Sequence, residues 1–128
     1  MTGIPHPVHI RSDEYARRIR ALLGRGGLAH ALPRRERDRW IVLHAIARRF
    51  APGERLSERD AGARIADFLI GPGHYLELDR GTLRRALVDD GFLDRDPAGN
   101  AYRISARHRR RVVFEEPPQV EAVLGLAP

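Results

Sequence analysis

The sequence predicts a mainly α-helical fold carrying a small β-hairpin. Four segments with helical apolar spacing, each bounded by capping or breaking residues, are the first ground for this. The second is a pair of short strand-like runs around a Pro/Gly/Asn turn. The third is the length of 128 residues, which fits one domain of ordinary size. Charged residues at 31 % and apolar residues at 42 % match a globular protein with a solvated surface.

Residues 1–11 hold two prolines and no periodicity, and are expected to form a loose arm. A first helix is expected to start with Ser12 as N-cap, with Asp13 and Glu14 in the first turn, where the helix dipole favours anions. Tyr15, Ile19, Leu22 and Leu23 make its apolar face, and Gly24, Gly26 and Gly27 stop it. Pro33 opens a second helix over 34–50. Its apolar arc (Trp40, Ile41, Val42, Leu43, Ile46, Ala47, Phe50) is too wide for a single stripe, so it should be central and covered from two directions.

Ser57 caps a third helix, with Asp60 in the capping-box position usually held by Glu or Gln. Ala61, Ile65, Phe68 and Leu69 form its inner stripe, and Gly71-Pro72-Gly73 breaks it. Asp79 caps a fourth helix over 80–90, with Leu83, Ala86 and Leu87 inward and Gly91 at its C-terminal stop. Residues 92–95 and 101–104 flank Asp96-Pro97-Ala98-Gly99-Asn100 as a hairpin. The chain then divides into an arm and amphipathic helix (1–31), a compact domain (32–105), and a basic run with a weakly structured tail (106–128).

Three helices followed by a hairpin is the chain order of a winged helix-turn-helix, here preceded by an extra N-terminal helix. Several residues in that span carry a resemblance: Leu32-Pro33, Phe50, Gly53, Leu56-Ser57-Glu58, Asp79, Leu83-Arg84-Arg85-x-Leu87-Val88-Asp89-x-Gly91-x-Leu93-x-Arg95, Gly99 and Tyr102. Over about residues 32–105 the chain resembles a bacterial family of domains of unknown function, found alone or behind ArsR-type winged-helix repressors. The resemblance implies a winged-helix-like fold and bacterial regulation as context. The chain departs from the family at Asp60-Ala61-Gly62, where Glu-Val-Asn is usual.

With Leu83 at the centre of the buried side, helical geometry turns Gly81, Thr82, Arg85, Val88 and Asp89 outward and puts Arg84 on the flank. For a DNA-reading helix, Arg85 and Thr82 would approach base edges, while Arg80 and Arg84 would suit phosphates. Arg95 and Arg103 would support the duplex from the wing. The competing arrangement pairs Arg85 with Asp89 and packs the Arg84 stem over the core towards a carboxylate on another helix.

All 23 basic residues are arginine, against 17 acids, for a net charge of +6. The absence of lysine excludes Schiff-base and Walker-type phosphate chemistry. The absence of cysteine excludes disulfides, thiolate metal sites and thiol nucleophiles. Residues 1–50 hold 11 arginines and 4 acids, whereas residues 51–105 hold 8 arginines and 10 acids. The compact domain is thus slightly acidic. Any nucleic-acid affinity would also draw on Arg17, Arg18 and Arg20 and on the run Arg107, Arg109, Arg110 and Arg111.

No catalytic site, cofactor or metal site is expected. The histidines lack zinc-type spacing, and His44 reads as a partly buried helix residue bonded to a neighbour. Adjacent acids at Asp89-Asp90 and Glu115-Glu116 do not make an acid/base dyad, and no nucleophile motif occurs. Neither a signal-peptide stretch nor a membrane span is apparent, so a cytoplasmic location is expected. Two functions follow. One is a DNA-binding transcriptional regulator with double-stranded DNA as partner. The other is a non-catalytic interaction module that meets a second copy or another regulatory protein. The second is favoured by the acidic balance of 51–105, by Asp89, and by the long Gly71–Leu78 connection.

Overall fold

A computed structural model describes residues 6–24, 30–98 and 100–126. The expected stops at Gly26 and Gly27 and the turn residue Gly99 lie outside the described residues. The fold is mixed α/β, a helical core with a small antiparallel sheet. In chain order it runs β1 (Val8–Ile10), α1 (Ser12–Leu23), α2 (Glu36–Ala47), β2 (Leu56–Ser57) and α3 (Glu58–Ile70). Then follow α4 (Arg80–Asp89), β3 (Leu93–Asp96), β4 (Ala101–Ile104), a 3₁₀ turn (Arg107–Arg110), β5 (Val112–Phe114) and α5 (Val120–Leu124).

Helix α2 is the hub. Trp40, Ile41, Val42, Leu43, Ala45, Ile46 and Ala47 are all buried, because α1 covers one side and α4 packs on another. Tyr15, Ile19 and Leu23 of α1 supply the apolar contact. Two bidentate pairs then lock the register between these helices. Arg18 donates to both oxygens of the buried Asp38 at 2.9 Å, and Arg37 donates to both oxygens of Glu14 at 2.8 and 2.6 Å. The last turn of α2 tightens: Arg49 and Phe50 donate to carbonyls three residues back, so the regular helix ends at Ala47 rather than at Phe50.

Side-chain caps close the N-termini of α3 and α4. Ser57 Oγ accepts from Asp60 N at 3.0 Å, and Asp79 Oδ1 accepts from Thr82 N at 2.8 Å. Ser12 is an exception: it is the first residue of α1, and the cap position falls to Arg11, which makes no side-chain cap. At the far end of α4, Gly91 takes φ +83°, Phe92 N donates to Leu87 O, and Gly91 N donates to Val88 O. This is a Schellman closure, which satisfies two carbonyls the helix would otherwise leave open.

The hairpin pairs Leu93 with Ile104 and Asp96 with Ala101, and β2 adds to the other edge of β4 through Leu56 and Tyr102. The resulting order is β2-β4-β3. The two-residue strand β2 is too short to show a period in the sequence. Within the arm and tail, the described residues correct a further expectation, since both contain paired or helical segments. Val8, His9 and Ile10 pair in parallel with Val112, Val113 and Phe114, and α5 lies against α1 with Val120 buried. Ile10 and Val112 are fully buried in that clasp, which is the apolar gain that orders it.

Candidate nucleic-acid interface

The start of α4 is built around Asp79. Its second oxygen accepts the Thr82 hydroxyl at 2.8 Å, and these two bonds from Thr82, backbone first, hold the Asp79 carboxyl below its ordinary range. The Thr82 hydroxyl proton is thereby committed to the cap, and only its lone pair stays outward. Arg85 reaches back along the helix to that oxygen at 3.4 Å, over Gly81. Among the described residues no carboxylate lies within ion-pair distance of Arg85, so the Arg85–Asp89 pair does not form.

Arg84 follows the competing expectation. Its guanidinium sits 5.7 Å over the Tyr102 ring and 3.8 Å from Glu58 Oε1, an oxygen that also accepts the Tyr102 hydroxyl at 3.3 Å. Arg80 and Arg84 both lie across Gly62 of α3, where a Cβ would stand 3.6 Å from Arg80 Cδ. That is ordinary van der Waals contact on an unstrained helical residue. Gly62→Ala is therefore expected to stabilise the fold by about 0.5–1 kcal/mol in urea titrations, through helix propensity. Destabilisation would mean that the two arginine stems cannot shift.

Arg95 and Arg103 separate. Side chains alternate along a strand, and Arg95 is paired opposite Tyr102, whereas Arg103 is paired opposite Asp94. Arg95 therefore lines a groove of about 280 Å³ with Arg84, Arg85, Asp89, Glu58 and Tyr102, and donates to Asn100 Oδ1 at 2.8 Å. Arg103 lines an adjoining cavity with Arg55, Asp94 and Asp96, to which Arg95 and Tyr102 also contribute. The fold thus brings Arg84, Arg85 and Arg95 together, keeps Arg80 one turn away on α4, and leaves Arg103 outside the groove, with Arg95 between the two cavities. Glu58 and Tyr102 complete the groove and were not expected there. Their signal lay in the resemblance, where both stand among the matching residues.

The other arginines divide in the same way. Arg18 is committed to Asp38. Arg107 donates to Asp94 at 2.7 Å, to Val88 O at 2.9 Å and to Leu93 O at 3.0 Å, and Arg111 donates to Asp90 O at 2.7 Å. These two cations thus cap the carbonyl end of α4, opposite to its N-terminus. Arg17, Arg20, Arg109 and Arg110 are exposed, with no carboxylate at ion-pair distance among the described residues.

This partition resolves the acidic balance of residues 51–105. Glu54 pairs with Arg64, Asp90 with Arg39, Asp94 with Arg107 and Asp96 with Arg55. Asp79 is spent on its cap. Arg80, Arg85, Arg95 and Arg103 have no such carboxylate partner among the described residues.

His44 Nδ1 and the Tyr15 hydroxyl share a hydrogen bond of 2.9 Å, and burial pushes the His44 pKa down to about 3. Among the described residues no group of three or more His, Asp or Glu is placed to hold a metal, and no helix is long and apolar enough to cross a membrane. No curated protein and no solved structure matches the chain. The model of one family, uncharacterized proteins conserved in bacteria (DUF2087), matches residues 30–104, which is more than half of the sequence, and the chain belongs to that family.

Proposed function

We propose that this protein is a winged helix-turn-helix DNA-binding protein of bacterial transcription regulation, with α3 and α4 as the helix pair and β3–β4 as the wing. The observation that carries the reading is the selective absence of counter-charges. Arg80 and Arg85 on α4 and Arg95 on the wing have no carboxylate at ion-pair distance among the described residues, while Glu54, Asp94 and Asp96 are bound by other arginines and Asp89 is the acid left in the groove. The order β2-β4-β3 beside α4 supports the wing assignment. Arg80 and Arg95 would meet phosphates, and Arg85 a base edge or a phosphate near the helix start. The resemblance to domains found behind ArsR-type repressors implies the same setting.

The test is fluorescence anisotropy with a mixed-sequence duplex across a salt series. Three phosphate contacts predict that affinity falls about fortyfold for a fourfold rise in salt. Arg80→Ala should reduce the slope of log K against log salt by about one. Arg64→Ala, which removes a cation already paired with Glu54, should leave the slope unchanged. Absence of measurable binding at low salt ends the DNA reading. A dimer by light scattering under the same conditions would then favour the interaction module.

A further inference from the structure

A second cavity, of about 280 Å³, lies between α2 and the segment after β4. Its apolar wall comes from Ala47, Pro52, Phe92 and Ile104. The polar groups beside that wall are unlike those of the rest of the surface. Three other cavities each carry two carboxylates, whereas this one carries none and is lined by Arg48 and Arg109.

Arg48 is held in place without being neutralised. It donates to Pro118 O at 2.6 Å and to Pro117 O at 3.2 Å, and lies 5.9 Å over the Tyr15 ring. Carbonyl oxygens fix its geometry and leave its full charge, and no carboxylate stands at ion-pair distance among the described residues. Two flat imidazoles complete the lining. His108 stacks on Phe92 with centroids 4.2 Å apart and planes 11° apart, and donates its Nδ1–H to Gly91 O at 3.1 Å. His44 stacks on Phe114 at 3.9 Å. The wholly buried Tyr15 hydroxyl shares a 2.9 Å hydrogen bond with His44 Nδ1, which holds the second imidazole in place on a lining without acids.

We infer that this cavity binds a small aromatic carboxylate, its ring against the Phe92–His108 stack and its carboxylate on Arg48 and Arg109. Flat apolar walls select a ring, and an anchored cation without a counter-ion selects an anion. Lone inorganic anions would leave the apolar wall wet, and a cation would meet two guanidiniums. The site is independent of the DNA reading. It nevertheless shares a wall with the segment 105–109, whose His108 N donates to Gly91 O and whose Arg107 holds the end of α4. An occupant would therefore rest against the clamp on that helix.

Sodium benzoate is the probe, titrated calorimetrically into the full chain, with benzamide and acetate as controls. One saturable benzoate site is expected, with benzamide and acetate each weaker by roughly tenfold or more. Ala106→Trp, at an exposed position on the cavity wall, should occlude the site and weaken benzoate by a similar factor without removing any side-chain contact. Arg48→Gln should do the same, and Ala106→Trp carries the test alone should Arg48→Gln fail to fold. No saturation by about 10 mM benzoate overturns the inference, as does equal affinity of the native chain and Ala106→Trp.

Discussion

Gly91→Ala should destabilise the protein by about 2–3 kcal/mol, a large loss for a single added methyl group. Two costs combine. At φ +83° an L side chain is strained by roughly 1 kcal/mol. The new Cβ would also stand 2.8 Å from His108 N, 3.0 Å from Arg107 Cβ and 3.1 Å from Arg107 C. Two of those atoms are backbone and cannot swing aside. Moving them apart breaks the 3.0 Å bond from His108 N to Gly91 O and loosens the Arg107 guanidinium from Val88 O and Leu93 O. Gly53→Ala separates the two terms, because Gly53 has a similar φ of +77° with nothing within 4 Å of the added atom. Urea titrations should show Gly53→Ala losing only about 1 kcal/mol. Equal losses at both positions would show that the close approach to His108 carries no cost.

Stability should also fall with acidification well before the carboxylates titrate. His44 has its pKa lowered from 6.5 to about 3, chiefly by burial and then by Arg48, and His108 is lowered too, again chiefly by burial. For a lowered histidine the unfolded chain takes up the proton first, so stability is complete above about pH 6.5 and is lost as pH falls towards the folded value. The slope from His44 alone approaches roughly 1.4 kcal/mol per pH unit, which integrates to about 1.6 kcal/mol between pH 6.5 and 5. Below about pH 4.5, Glu14 adds a loss of the same sign, because its bond from Arg37 holds its pKa down. His44→Asn keeps an acceptor for the Tyr15 hydroxyl and removes the titration. It should be less stable at pH 7.5 but flatter in urea midpoint between pH 6.5 and 5. An unchanged slope in His44→Asn would refute the assignment to His44.

The parts of this fold that are legible in the sequence are those whose cause is local. Asp79 and Ser57 bond to amides three residues on, Gly91 needs only its own backbone angle, and the wide apolar arc of α2 announces burial on several sides. The clasp is not legible in that way. Val8–Ile10 is too short to show a period, and its partner is remote in the sequence. The same division runs through the candidate interface. Helical spacing alone selects Arg80, Arg84 and Arg85 as neighbours on α4. The counter-ions are chosen by tertiary structure: Glu58 for Arg84, Asp94 for Arg107 and Asp38 for Arg18, all three being pairs that join separate elements. Net charge over a window therefore says little about which guanidiniums stay available. The acids that make residues 51–105 negative are largely the ones already engaged.

The β1–β5 clasp places a constraint on how the protein is made. β1 is translated about a hundred residues before β5, its strand partner among the described residues. Until Phe114 has been synthesised and released, the amides and carbonyls of Val8–Ile10 can bond only to water or to the wrong edge, and the buried face of Ile10 has no Val112 to meet. The central helices can assemble from nearer contacts in the meantime. β1 thus waits for β5 before it can be seated, and its seating joins both flanks of the matched domain in a single step.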